Sequence, residues 1–219
     1  MLVKNKWFLL LIIIFVVFIF FSPCLDKSAA VMPFDIKHKV FYGETSPICK
    51  FIYQMVGWLT WGIVISSIIG IFINKSINNK SVRISAIIVL LALAIGPGLL
   101  VNSLFKNHWG RARPYQVLRD NHQYSPVWQP HITKVEDNSF SSGHAAMGFF
   151  LGVPLFVMGY RKMGFMLSLL GGVIVGIVRI LQGGHYLSDV VFSGMFVWVS
   201  TYLAISLVNK VRERFTYCE

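Results

Sequence analysis

The chain has 219 residues, of which 55% are hydrophobic and 13% charged, about half the charged share of an ordinary soluble domain. A mean hydropathy of +0.64 and recurrent apolar runs of bilayer-spanning length exclude a soluble enzyme and indicate one membrane domain over residues 1–219. The formal net charge of +11 does not point to nucleic acid, because Lys and Arg collect in short stretches between apolar runs rather than on a soluble basic face.

The first apolar run, residues 7–21, follows Lys4 and Lys6. Its basic start and apolar centre resemble a signal peptide, but no cleavage pattern of small residues follows it, so it reads as a retained first helix. Further spans are expected at 51–73, 84–105, 144–160, 163–180 and 187–208, each near the roughly 20 residues that cross a hydrocarbon core. The fold class is therefore all-α and polytopic, with six transmembrane helices and both termini on one side. Gly96-Pro97-Gly98 is expected to kink or break the third span. Gly148, Gly152, Gly172 and Gly176 recur at helical spacing and suit close helix packing in lipid. The segment from Asp26 to Pro47 reads as an extramembrane stretch, either lying in the interface beside a headgroup or simply connecting two spans. Cys24 and Cys49 bracket it, leaving both a disulfide and a free pair open, while Cys218 stands apart; no cysteine has metal-ligand spacing.

Basic residues divide evenly between the two faces in this layout. The face with the termini and short turns holds Glu213 and Glu219 as its acids, and the other seven acids lie on the longer loops opposite. Because the bias counts most in short loops, the termini are placed in the cytoplasm and the long loops on the opposite face of the membrane.

Three polar clusters stand at the ends of spans, where ionisable groups are costly. The first is Lys106 through Arg111 to Arg113-Pro114, after the third span. The second is Ser141-Ser142-Gly143-His144, before the fourth, and the third runs from Arg179 through His185 to Asp189, between the fifth and sixth. Hydropathy alone puts all three on one side of the bilayer. Taken singly, each fits an interfacial anchor, a satisfied histidine or a structural hydrogen-bonded pair. Their convergence outweighs those readings.

Lys106, Arg113 and Arg179 combine a compact point charge with two planar forks suited to phosphoryl oxygens. Ser142 and Gly143 at a helix start offer N–H groups and a hydroxyl to an anion. His185 and Asp189, four residues apart, share one face of the first turn of the last helix. A carboxylate on one imidazole nitrogen fixes the tautomer and leaves the other free to attack. His144 is then a second acid–base group. No carboxylate set resembles a divalent-metal cage, so no metal and no cofactor are expected.

These residues resemble the type 2 phosphatidic acid phosphatase superfamily, whose pattern is K-x6-R-P, then P-S-G-H, then S-R-x5-H-x3-D. Lys106 to Arg113-Pro114 matches the first element without a gap. In the second, Ser141 stands in place of proline; in the third, Val178 stands in place of serine. The resemblance implies a helical bundle shared with haloperoxidases, with His185 as nucleophile, Asp189 orienting it, and His144 as general acid and then base. Lys106, Arg113, Ser142, Gly143 and Arg179 would hold the phosphate, without a metal. Within the superfamily the chain is most similar to bacterial lipid A phosphatases, through residues 110–114, Gln182 to His185, and the stretch from Phe34-Asp35 to Phe41-Tyr42. Other members act on undecaprenyl pyrophosphate or phosphatidylglycerophosphate, or move phosphate between lipids. The implied partners are a phospholipid or lipid A substrate and the bilayer. The long loop with Tyr115, Arg119, Tyr124, Trp128, His131 and Lys134 suits an anionic sugar headgroup or an anchoring role at the interface. A rival from another class is a non-catalytic anionic-lipid binder or transport component, for which the His185–Asp189 pair has no use.

Overall fold

The computed structural model describes residues 6–77, 80–131 and 138–216; Lys134 and Cys218 lie outside these. Helix α1 (Lys6–Val31) continues well past the expected end at residue 21. Proline at position 23 cannot donate to the Ile19 carbonyl, and the Ser22 hydroxyl does so instead at 2.8 Å. The repaired turn carries the helix on, so Asp26 is a fully buried helix residue and not part of a surface connector.

The rest of the expected connector folds tightly. Strands β1 (Phe34–Asp35) and β2 (Val40–Phe41) pair antiparallel, with Phe34 opposite Phe41. The Asp35 carboxylate accepts from the Lys37 and His38 N–H groups at 2.9 and 3.2 Å and closes the turn. A short helix α2 (Tyr42–Thr45) leads into α3 (Pro47–Ile77), where proline at the first position suits a helix start. Cys24 and Cys49 are both free, the first exposed and the second buried.

Helix α4 (Lys80–Leu93) passes into a π-helix (Ala94–Phe105) and ends in the single turn α5 (Lys106–His108). The glycine–proline–glycine triplet thus neither breaks nor ends the span but widens it. Asn102 Nδ2 donates to the Pro97 carbonyl at 2.7 Å and the Ser103 hydroxyl to that of Gly98 at 3.2 Å, so side chains five residues on reinforce the wider spiral. Lys106 is delivered at the end of this segment.

After α6 (Pro114–Arg119) and its long loop come α7 (Gly143–Phe150), α8 (Val153–Val157), α9 (Arg161–Leu181) and α10 (Leu187–Thr216). Among the described residues five helical stretches are long and apolar enough to cross a membrane. The sixth expected span is the shorter run Gly143–Val157, interrupted between α7 and α8. Helix α7 packs on α9 backbone to backbone: a Cβ on Gly148 would lie 2.6 Å from the Gly171 carbonyl oxygen. Val101, Phe150, Val153 and Val197 fill the centre with no exposure, whereas α3 turns Trp58, Trp61, Ile65 and Phe72 outward, as a lipid-facing helix does. The start of α7, the end of α9 and the start of α10 meet beside α5 at one end of the bundle.

Candidate active site

The three sequence clusters converge at that end. The charges of Arg179, Lys106 and Arg113 and the ring of His185 all act on His144, the second residue of α7. Arg113, the residue preceding α6, donates from Nη2 to Asn138 Oδ1 at 2.7 Å, and Arg179 from Nη1 to Gln182 Oε1 at 2.5 Å. The buried Nε of each arginine has no partner. Each guanidinium is therefore pinned by one nitrogen and keeps donors for an incoming ligand. Gly184 is required beside Arg179, since a Cβ there would run into the guanidinium. Gly183 adopts φ +63, and a Cβ on it would meet the Phe41 ring at 2.5 Å.

His185 is buried and its Nδ1 lies 2.7 Å from the Ser139 carbonyl oxygen. A carbonyl only accepts, so Nδ1 carries the hydrogen and the Nε2 lone pair is free. Burial pushes the imidazole down to about 4, with Asp189 opposing and Arg179 reinforcing the shift. The ring is neutral at pH 7, the state a nucleophile needs.

Asp189 does not hold the ring directly, contrary to the expectation from the i, i+4 spacing. Its Oδ2 is 3.7 Å from Nδ1, beyond hydrogen-bond length. The carboxylate is engaged elsewhere: it accepts from Arg111 Nη1 at 2.5 Å, the Ser139 hydroxyl at 2.6 Å and the Tyr186 N–H at 2.9 Å. It acts on His185 through charge and through Ser139, whose carbonyl sets the tautomer.

Ser142 offers only its hydroxyl, and not its N–H, of the two donors expected. Its N–H donates to Ser193 Oγ at 2.9 Å and is not available to an anion. Its hydroxyl oxygen caps α7 by accepting from the Ala145 N–H at 3.3 Å, which leaves the hydroxyl hydrogen free to donate. The next two N–H groups, of Gly143 and His144, open the helix without an intrahelical acceptor and suit an anion. Ser141, at the position of the motif's proline, is buried with its hydroxyl unpaired.

Two further residues stand at the site without a role assigned to them by the motifs. Tyr53 on α3 stacks on His144, with ring centroids 4.0 Å apart and planes at 17°, and its ring lies 4.9 Å from the Arg179 guanidinium. Arg111, which taken singly fits an interfacial anchor, has no exposed surface and pairs with both Asp189 and Asp26. Its charge is held above the ordinary value by those carboxylates against the opposing effect of burial. Leaving either side of such a pair uncompensated costs roughly 3–5 kcal/mol, so the cluster is part of the fold as well as the site. Arg119, by contrast, gives Nη2 to both oxygens of Glu44 at 2.8 and 2.9 Å and belongs to a surface bridge. Among the described residues no group of three or more His, Cys, Asp or Glu side chains is placed to hold a metal ion.

Residues 85–213 match the PAP2 superfamily, a stretch containing all three sequence clusters from Lys106 to Asp189. The chain belongs to the PAP2 superfamily. Over 216 residues it is 32% identical to a lipid A 4'-phosphatase of Francisella tularensis subsp. novicida (strain U112), covering 93% of this chain and 96% of that one. A lipid A 4'-phosphatase of Rhizobium leguminosarum is 32% identical over 130 residues, 58% of this chain and 54% of that one. The bacitracin transport permease protein BcrC of Bacillus licheniformis is 28% identical over 191 residues, 79% and 83% of the two chains. No solved structure matches. As a PAP2 member this chain is mostly helical, as its patterning required.

Proposed function

We propose that this single membrane domain is a lipid phosphatase that removes a phosphate monoester from lipid A through a phosphohistidine on His185, at the periplasmic face of the bacterial inner membrane. The observation that carries the reading is His185 itself: a neutral ring with Nδ1 pinned by Ser139 and Nε2 free, within reach of the charges of Arg179 and Arg113. Superfamily membership supports phosphatase chemistry, and the relatives named lipid A 4'-phosphatase support a lipid phosphate as substrate. Nε2 attacks phosphorus, the N–P bond forms as the ester P–O bond breaks, and His144, which the negative charge of the bound phosphate holds protonated against its burial and the neighbouring cations, gives a proton to the departing oxygen. Water then attacks phosphorus, His144 takes its proton, and the N–P bond breaks to release inorganic phosphate. Lys106, Arg113, Arg179, the Gly143 N–H and the Ser142 hydroxyl hold the phosphoryl oxygens and the charge that builds on them.

In this scheme side chains supply the counter-charge that a metal provides elsewhere. Purified protein in detergent is therefore expected to release phosphate from lipid A at an undiminished rate in excess EDTA. Loss of activity in chelator, restored by Mg²⁺ or Zn²⁺, contradicts the scheme. The relative named as a transport permease favours a second reading, in which the same basic pocket binds anionic lipid without chemistry. Absence of any phosphate release by the purified protein selects that reading.

Orientation is tested by labelling in a background with the native cysteines replaced. A cysteine at the exposed position Gln123 should react with a membrane-impermeant thiol reagent in intact spheroplasts, and one at the exposed Lys80 should not. The reverse pattern places the site in the cytoplasm.

A further inference from the structure

We propose that Asp26 and Arg111 are positioning residues of the phosphoryl transfer, which makes the first helix part of the catalytic frame. The inference rests on the reading of His185 as the nucleophile.

Arg111 has five N–H donors, and all five are assigned. Nε donates to the Ser125 carbonyl at 3.0 Å; Nη1 to Asp189 Oδ1 at 2.5 Å and Ser188 Oγ at 2.8 Å; Nη2 to Asp26 Oδ2 at 2.7 Å and Tyr124 Oη at 3.4 Å. No donor remains for a substrate, so the guanidinium orients other groups and does not bind phosphate. It reaches the nucleophile by two routes. Its side chain holds Asp189, whose other oxygen accepts from the Ser139 hydroxyl. Its own carbonyl accepts from the Ser139 N–H at 2.8 Å. Ser139 is thereby fixed at both its amide and its hydroxyl, and its carbonyl fixes His185 Nδ1.

Asp26 stands behind Arg111. Besides the ion pair, its Oδ1 accepts from the Ser188 N–H at 2.8 Å and its Oδ2 from the Ser188 hydroxyl at 2.6 Å. Both oxygens serve only as acceptors, so the side-chain amide introduced by Asp26→Asn would turn a donor against either the Ser188 N–H or Arg111. Charge matters as well as shape. Asp26, Arg111 and Asp189 are all fully buried, and the Asp189 carboxylate lies 3.7 Å from His185 Nδ1. When Nε2 bonds phosphorus while Nδ1 keeps its hydrogen, the ring becomes cationic. The Asp189 carboxylate favours that state, and Asp26 holds the Arg111 guanidinium that keeps this carboxylate in place.

The test compares wild type, Asp26→Asn, Ser188→Ala and His185→Ala, purified in detergent, by kcat on a phosphate monoester and by the competitive inhibition constant of inorganic phosphate. The phosphate constant reports whether Lys106, Arg113 and Arg179 remain assembled, and a loss of fold raises it. Asp26→Asn is expected to lose about 10²-fold in kcat with the phosphate constant changed by less than about threefold. If Asp26→Asn does not fold, Ser188→Ala, which removes one hydroxyl from the same junction, still tests the proposal. Its kcat is expected to fall several-fold with phosphate inhibition unaltered. Wild-type kcat in the folded variants, or parallel losses of kcat and phosphate inhibition, overturns the proposal. An active His185→Ala defeats instead the underlying reading of the nucleophile. An inactive His185→Ala beside a fully active Asp26→Asn removes only the positioning role.

Discussion

Replacing His185 by alanine is expected to lower turnover by at least about 10⁴-fold on every substrate, whatever its leaving group. The expectation follows from the surroundings of the ring. Nδ1 is occupied by the Ser139 carbonyl at 2.7 Å, so Nε2 is the nitrogen that can attack. The other imidazole at the site, that of His144 on α7, is stacked against Tyr53 of α3 at 4.0 Å and is the group proposed to serve the leaving oxygen. His185→Gln is a useful companion, because its amide can still donate to Ser139 and limits the disturbance of the buried pocket. Both variants should still be inhibited by inorganic phosphate, since Lys106, Arg113 and Arg179 are untouched. Residual turnover within about 10²-fold of wild type on a lipid phosphate would mean that another group, or water directly, attacks phosphorus.

The second large effect separates the two histidines. If His144 protonates the departing oxygen, its importance scales with how badly that oxygen needs a proton. His144→Ala is expected to lose on the order of 10²–10⁴-fold on a lipid or sugar phosphate. The loss should be clearly smaller on p-nitrophenyl phosphate, whose leaving group departs as a stabilised anion. Part of the deficit on either substrate comes from the lost stacking on Tyr53. Tyr53→Leu measures that share: it should weaken both substrates alike and by far less than the histidine change. Equal losses of His144→Ala on both substrates would remove its role as the acid.

The residues proposed to touch phosphate were legible in the sequence because their chemistry is expensive in a membrane. Lys106, Arg113, Arg179, His144 and His185 interrupt or terminate apolar runs, and counting crossings puts them on one side without any coordinates. The supporting frame was less visible for identifiable physical reasons. Pro23 looks like the end of the first helix, and it is the Ser22 hydroxyl on Ile19, a single tertiary-independent repair, that carries the helix on to Asp26. Arg111 lies two residues from Arg113, and composition does not distinguish a buried hub from a surface anchor; that depends on Asp26 and Asp189 arriving from helices far away in the chain. The group on His185 Nδ1 is a backbone carbonyl, which leaves no trace in side-chain identity. The i, i+4 spacing correctly placed Asp189 near His185, but spacing fixes proximity, and Arg111 and Ser139 decide which oxygen points where. The glycine–proline–glycine triplet announced an irregular third span. The widening itself is supported by Asn102 and Ser103, whose side chains reach back to the Pro97 and Gly98 carbonyls and which no pattern of hydropathy singles out.

A covalent phosphoryl group on His185 is the centre of the account, and trapping it is the most direct test. The hydrolysis of that intermediate needs His144 to activate water, whereas its formation from an activated substrate does not need His144 as acid. His144→Ala incubated with ³²P-labelled p-nitrophenyl phosphate and quenched in denaturant should therefore retain label on the protein. The label should be lost in acid, survive base as a phosphohistidine does, map to the peptide containing His185, and be absent from His144→Ala/His185→Ala. Protein that carries no label under these conditions while it still releases p-nitrophenol, or label that persists without His185, contradicts the mechanism.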